Sequence, residues 1–305
     1  MERFRTASQM SEKYFHQPVV VTYSGGKDSD CLLRIAELSG IKFEVVHSHT
    51  TVDAPQTVYH VRKVKKRMEE KGIHFEVRYP VYKGQKVSMF SLIPIRSYPP
   101  TRIARYCCTV CKETSVPNRL IATGGRWAES PARRTYRAVF ETRGKTKADK
   151  GMFTLEHTQE VLREAQQLQT IFGTGDNEVD VYDCKLIETA KKNNDVIVNP
   201  IIDWTDDEVW DFCNEQGIEM NPLYFPPFNY KRVGCIGCPQ GGYKQRLKQF
   251  EDFPVYKANY IKSFDRMIAL RKTKGLDPIW SSGKECFEWW VQPSSSSKGR
   301  RKNEP

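Results

Sequence analysis

The sequence predicts an α/β fold: a parallel sheet flanked by helices, followed by a small cysteine-containing appendage. Three observations predict it. Short β-branched apolar runs alternate with helical patterns between residues 18 and 80. The first two helical patterns each stop at a glycine, Gly40 and Gly72. From about Met220 the pattern changes to one with its own cysteine pair and a helical stretch around residues 256–272. Strand–helix–strand–helix–strand at this spacing calls for parallel strands joined by right-handed crossovers.

Taken in order, PVVVTY (18–23) is a buried-strand run, DCLLRIAELSG (30–40) a helix with a glycine stop, and FEVVHSH (43–49) a second strand. An amphipathic helix over 54–72 and a third strand, HFEVRYP (74–80), follow. A loop broken by Pro94, Pro99 and Pro100 then delivers the first cysteine cluster, and VPNRLIATGGRWAES (116–130) adds a short apolar run ending in glycines. Residues 133–177 are polar and predict a flexible loop and one helix near 160–169. DVIVNPIIDWTDDEVWDFCNEQG (195–217) predicts a strand, a turn and a helix whose capping box is Thr205 and Glu208. Asp203, Trp204 and Trp210 are expected to be structural, a capped turn and two core aromatics. The expected division is an N-terminal segment (1–18), a nucleotide-binding α/β domain (19–219), a CxxC-containing subdomain (220–292) and a disordered basic tail (293–305).

The 305 residues are 39% apolar and 28% charged, ordinary for a globular enzyme. No stretch approaches the ~20 apolar residues of a membrane span, and the first residues lack the apolar core of a signal peptide. A cytoplasmic protein without membrane partners is expected. Lys and Arg number 48 against 37 Asp and Glu, a net charge of +11 that suits phosphate-bearing partners, nucleotide or nucleic acid. The tail, with Lys298, Arg300, Arg301 and Lys302 against Glu304, supplies part of that excess.

Nine cysteines, an odd number, argue against a disulfide framework and for metal or thiol chemistry. Five fall in two clusters: Cys107, Cys108 and Cys111 in RYCCTVCKE, and Cys235 and Cys238 in VGCIGCPQ. Cys31, Cys184 and Cys213 read as small apolar fillers.

Between the first strand and its helix stands SGGKDS, Ser24 to Ser29. Glycines there let backbone approach a phosphate, and the helix N-terminus presents free N–H groups and a partial positive charge. Ser24 and Ser29 add hydroxyls, Lys27 adds a full charge, and Asp28 orders the loop or meets a magnesium ion. The spacing is not that of the Walker loop. A tight glycine turn would account for Ser-Gly-Gly alone, whereas the whole hexapeptide at a strand–helix junction points to phosphate.

The hexapeptide resembles the pyrophosphate-binding loop of the N-type ATP pyrophosphatases. Further stretches are similar to one branch, the phosphoadenosine phosphosulfate (PAPS) reductase family. HTTVDAPQT (49–57) resembles that family's Asp-Thr-Gly-x-x-Phe-Pro-Glu-Thr, keeping Pro55 and Thr57 while His49, Thr51, Ala54 and Gln56 depart. GGRWAESPAR (124–133) is similar to its Gly-Val-Arg-x-x-Glu-Ser-x-x-Arg. NPIIDWTDDEVWDF and NPLYFPPFNYKRVGCIGCP match two later blocks in order. The resemblance implies a Rossmann-like sheet of the adenine nucleotide alpha-hydrolase-like kind. It implies nucleotide binding by Ser24, Gly25, Gly26, Lys27, Asp28, Ser29, Thr50 and Arg126, and catalytic work by Lys27, Asp28, Arg126 and Arg133. Forked arginine donors suit phosphate or sulfate oxygens; for Arg133 an ion pair with Glu129 is the competing reading.

Thiolates two residues apart, as in Cys235 and Cys238, chelate one metal. Cys107 with Cys108, or Cys108 with Cys111, would complete four soft ligands, and the second choice would also suit zinc. The paired-cysteine arrangement resembles that of adenosine phosphosulfate reductases and implies a [4Fe–4S] cluster. In thiol-dependent sulfonucleotide reductases a C-terminal Glu-Cys-Gly-x-His carries the nucleophile. Here Glu285 and Cys286 remain, Phe287 and Trp289 replace Gly and His, and no histidine follows His157. Cys286 is therefore read as structural.

The reductases resemble Ser-Phe-Gly-Ala-Glu-Asp at the loop, whereas this chain keeps the lysine-bearing form of ATP users. The expectation is an ATP pyrophosphatase that cleaves between the α- and β-phosphates with Mg2+ and adenylates an acceptor in sulfur transfer. Reduction of PAPS or adenosine phosphosulfate to sulfite is the alternative, and a non-enzymatic metal-stapled nucleic-acid-binding protein the second. A sulfur-donor protein, a nucleic-acid acceptor and a homodimer are compatible partners.

Overall fold

The computed structural model describes residues 1–113, 116, 119–142, 151–172 and 195–292. Cys184 and the 293–305 tail lie outside the described residues. The chain divides into two units. The first comprises Met1–Ser48, Gln56–Arg78 and Ser115–Pro222, and the second His49–Pro55, Tyr79–Thr114 and Leu223–Pro305. The boundary expected at 219/220 thus marks only the last of the three stretches that form the second unit.

In chain order the strands are β1 (Val19–Thr22), β2 (Phe43–Ser48), β3 (Phe75–Arg78), β4 (Val81–Tyr82) and β5 (Gln85–Lys86). They continue with β6 (Arg119–Ala122), β7 (Phe140–Thr142), β8 (Gly151–Phe153) and β9 (Asp195–Val198). The first unit is built on a seven-stranded Rossmann-like sheet of order β3-β2-β1-β6-β9-β7-β8. β3, β2, β1, β6 and β9 run parallel, and β7 and β8 close the sheet antiparallel. Val19, Val20 and Val21 are fully buried, as a strand covered on both faces requires.

The winding direction reverses at β1, which has β2 on one side and β6 on the other. In open α/β sheets the crevice at the carboxyl ends of such strands is where ligands bind. The loops leaving β1 and β6 carry SGGKDS and GGRWAES.

Helices flank this sheet at Lys27–Leu38, Pro55–Glu70, Leu155–Phe172 and Asp206–Glu215. The stretch expected to hold a loop and a helix near 160–169 supplies β7, β8 and the longer Leu155–Phe172 helix. The N-terminal segment is also structured: Glu2–Met10 is a helix that buries Phe4, Ala7 and Met10 at helical spacing. Cys31 and Cys213 are buried as fillers. Trp204 and Trp210 are half-buried rather than core, because the Asp206–Glu215 helix buries Val209 and Cys213 instead. Trp204 packs edge-on against Phe212 with ring centroids 5.4 Å apart.

The second unit is held by an aromatic core on the helices Tyr243–Asp252, Pro254–Thr273 and Gly283–Val291. Tyr260 and Trp290 lie 4.8 Å apart, and Phe250 and Phe287 4.9 Å apart. Each such pair contributes about 0.5–1.5 kcal/mol beyond its buried area. Arg246 stacks 4.5 Å above Trp290 and donates Nη2 to its carbonyl at 3.0 Å. No described helix is long and apolar enough to cross a membrane.

Candidate functional site

In the first unit, β1 ends at Thr22 and the chain turns through Ser24, Gly25 and Gly26 into the helix that starts at Lys27. Gly25 has φ +75°, and a Cβ there would lie 3.1 Å from both Thr57 Cγ2 and Val61 Cγ2. Only glycine meets both demands. Asn221 braces the same turn by donating Nδ2 to the Gly25 carbonyl at 2.8 Å and to Thr57 Oγ1 at 3.2 Å. Ser29 is turned inward: its hydroxyl donates to the Gly26 carbonyl at 2.7 Å and accepts from Gly26 N at 3.2 Å. Ser24 Oγ donates to Ser29 Oγ at 3.2 Å. Behind the loop, Tyr23 Oη donates to the buried Asp30 carboxylate at 2.5 Å, and His60 Nε2 lies 3.1 Å from the same oxygen.

Lys27 and Arg126, 6% and 2% exposed, converge from the two loops. Two carboxylates each bridge both cations. Asp28 Oδ1 accepts from Lys27 Nζ at 3.0 Å and Arg126 Nε at 2.8 Å. Asp206 Oδ1 accepts from Lys27 Nζ at 2.7 Å and Arg126 Nη2 at 2.5 Å. Arg126 Nη1 also donates to the Trp204 carbonyl at 3.1 Å. The hydrogen bond from Lys27 and the Arg126 guanidinium hold the Asp206 carboxyl below its usual range, against some burial. Burial opposes the charge of Arg126, but Asp28 and Asp206 outweigh it and raise its pKa.

Arg133 is not part of this four-membered ring. Its guanidinium pairs with Glu129 one turn earlier. Asp203, expected in a capped turn, pairs with Arg3 at 2.7 Å. Asp206 and Asn221 escaped the sequence reading. Asp206 stands in the first turn of a capped helix, where an acid complements the helix dipole, so nothing local marks it for another task.

In the second unit, Cys107, Cys108, Cys111, Cys235 and Cys238 line one cavity with Thr50, Lys112 and Tyr260. Thr50, grouped by resemblance with the nucleotide-binding residues, accepts a hydrogen bond from Cys235 Sγ at 3.4 Å. The CIGC turn is closed by Cys238 N donating to the Cys235 carbonyl at 3.2 Å. It is pinned from behind by Gly237 N on Gln249 Oε1 at 2.9 Å and by Tyr260 Oη on the Ile236 carbonyl at 3.1 Å. Gly237 has φ +72°, and a Cβ would collide with the Phe250 ring.

A hydrogen bond from Cys107, with Arg105 and Lys112 nearby, lowers the pKa of Cys108 despite burial. That bond and burial raise Cys107, and burial pushes Cys111 to about 12. Five thiols on one cavity are a soft donor set of the kind that holds a [4Fe–4S] cluster; no three of their sulfurs lie within 4.8 Å of one another, so they are not drawn together as ligands of a single zinc ion. The Cys286 side chain is wholly buried, and burial, with Asp265 and Glu285, pushes its thiol to about 12. Such a thiol is not a ready nucleophile.

The family model for the phosphoadenosine phosphosulfate reductase domain matches residues 18–241. The chain belongs to that family. The match runs from the strand before SGGKDS to beyond the CIGC turn. The uncharacterized protein MJ0973 of Methanocaldococcus jannaschii is 22% identical over 256 residues, 84% of this chain and 48% of that protein. The chain therefore spans about half the length of this curated relative. A crystal structure of PAPS reductase from Candida auris, in complex with phosphate, aligns with TM-score 0.43 and 13% identity, covering 77% of this chain and 88% of that one. Members of the family are enzymes of nucleotide-linked sulfur metabolism.

Proposed function

We propose that the chain binds ATP through the Ser24–Ser29 loop and cleaves it between the α- and β-phosphates, adenylating an acceptor destined to receive sulfur. The observation that carries this reading is the convergence of Lys27 and Arg126, both buried, at the carboxyl ends of β1 and β6. Two buried cations at a sheet's switch point are a site for a polyphosphate. Gly25 and Gly26 give the phosphates access to backbone, and Ser24 adds its hydroxyl. Ser29 acts one step back, fixing the Gly26 peptide.

In the reaction an acceptor nucleophile attacks the α-phosphorus as the bond to the bridging oxygen breaks and pyrophosphate leaves. Lys27 and Arg126 take up the charge that grows on the departing oxygens. Asp28 and Asp206 align both cations before the nucleotide arrives, which removes reorganisation from the binding step. Their carboxylate oxygens also suit Mg2+, which substrate phosphates would share. When bound, that ion would offset phosphate charge. The thiols of the second unit would hold a [4Fe–4S] cluster, supplying electron chemistry or a structural staple.

The buried, high-pKa Cys286 weighs against the sulfite-forming reductase. The test is calorimetric titration of the anaerobically purified protein with Mg-ATP, PAPS and adenosine phosphosulfate. ATP binding at least tenfold tighter than either sulfonucleotide is expected; the reverse order would contradict the pyrophosphatase reading.

A further inference from the structure

The two segments that bear the metal-type cysteines are unusual in charge. Residues 98–112 contain Arg102, Arg105 and Lys112 and no acidic residue, and residues 229–248 contain five basic residues and no acidic one. Arg246 is buried on Trp290, and Lys248 pairs with Asp252. The other three, Lys231, Arg232 and Lys244, are exposed, as are Arg102, Arg105 and Lys112.

Two of these cations stand at the cysteine cavity, and the others flank its cysteines along the chain. Lys112 lines the cavity, and Arg105 lies near Cys108. The two segments are joined where Gln240 Nε2 donates to the Arg102 carbonyl at 3.2 Å. Gln245 Nε2 ties the Arg232 carbonyl to the helix that carries Lys244 at 2.7 Å. Cys108, Cys235 and Cys238 are only half-buried, so the cavity opens to the surface among these groups. The neighbouring acid, Asp53, is buried and accepts from Thr50 N at 2.9 Å.

Apolar side chains stand among the cations. Ile103 is 97% exposed between Arg102 and Arg105, and Tyr243 is 41% exposed beside Lys244. Lone exposed residues need no explanation, but a ring and a branched aliphatic group interleaved with cations form the pattern that stacks bases while neutralising phosphates.

We propose that the exposed cations of the two cysteine segments bind the phosphate backbone of a single-stranded nucleic acid across the mouth of the cysteine cavity. The strand's phosphates meet Arg102, Lys231, Arg232 and Lys244, and bases rest on Tyr243 and Ile103. This surface belongs wholly to the second unit, and strand binding there does not rest on the nucleotide reading.

The test is fluorescence anisotropy of a labelled oligothymidylate of about 20 nucleotides, long enough for one such surface, titrated with the full chain at several salt concentrations. The quadruple variant Arg102→Glu, Lys231→Glu, Arg232→Glu, Lys244→Glu should weaken binding at least a hundredfold. It should also flatten the log–log salt slope by about 3, at roughly 0.7 per lost phosphate contact. Arg102→Lys with Arg232→Lys should retain binding, and metal content should be unchanged in both.

Replacing the tail cations Lys298, Arg300, Arg301 and Lys302 by serine in the full chain should retain most of the affinity. No binding by the wild type at low salt, or affinity lost with the tail and kept by the quadruple variant, would overturn the proposal. So would polyglutamate of equal charge competing as well as the oligonucleotide, which would assign the surface to an acidic protein. Lys27→Ala should leave strand binding intact, so failure here and failure of the nucleotide reading are separable.

Discussion

In the first unit two buried cations, Lys27 and Arg126, meet two carboxylates, Asp28 and Asp206, each bridging both. In the second, five thiols share one cavity with Lys112, and residues 98–112 and 229–248, which carry them, contain no acidic residue. The first site is charge-matched with hard oxygen and nitrogen groups, so it folds without its ligand and keeps its cations aligned. The second gathers soft groups whose charge appears only when thiols ionise, as they do on binding a metal. Cations around them offset that charge. The contrast teaches that the two proposed sites differ in kind: one pairs its cations with carboxylates in advance, and the other leaves thiols among cations.

The comparison breaks most severely at the cysteines. Cys235→Ser with Cys238→Ser should abolish bound metal, measured by elemental analysis and visible absorbance, and should lower the melting temperature. Structural thiolate–metal binding couples to folding by many kcal/mol. A metal-free wild type of equal stability would contradict the soft-site account.

Arg126→Ala should weaken nucleotide binding by about 10–100-fold, the equivalent of about 1.5–3 kcal/mol for lost charge-assisted bonds. Arg126→Lys should recover only part, because one ammonium nitrogen cannot replace the separate Nε, Nη1 and Nη2 donors with which Arg126 meets Asp28, the Trp204 carbonyl and Asp206. Full recovery by lysine would show that the fork is not used.

Gly237→Ala sharpens the other side. A left-handed non-glycine residue costs about 1–2 kcal/mol, and the collision with Phe250 adds to it. Urea unfolding should show a loss of about 2–4 kcal/mol, with nucleotide affinity unchanged.

The smallest effect concerns pH. Asp206 has a lowered pKa, so its pairing stabilises the fold above the ordinary carboxylate value of about 3.9 and is lost as pH falls through the lowered value. Asp206→Asn should flatten that acid limb in urea titrations. Its side chain is 67% exposed, so the change should be modest.

Much of the fold was legible because its signals are local. The valines of β1, the glycine after each of the first two helices and the Thr205–Glu208 capping box each report on neighbouring residues. The Lys27–Leu38 helix starts three residues before its apolar pattern does, because Gly26 and Ser29 form the cap inside the Ser24–Ser29 loop itself.

The candidate site was legible only in part. Lys27, Asp28 and Arg126 could be named from their motifs, but Asp206 joins them across 179 residues from Lys27, a distance no spacing rule spans. Thr50 lines the cysteine cavity, and the Arg133 guanidinium pairs with Glu129. Both had been placed by motif position, which fixes order along a chain and not the direction of a side chain. The N-terminal helix was missed because Phe4, Ala7 and Met10 are too few apolar residues to announce a buried face.

The most direct test is calorimetric titration of Mg-ATP into the wild type and into Lys27→Ala, with circular dichroism to establish that both are folded. The account predicts a saturable exotherm or endotherm for the wild type and at least a tenfold loss of affinity for the variant. Equal affinity in two equally folded proteins would contradict it and move the nucleotide away from the Ser24–Ser29 loop.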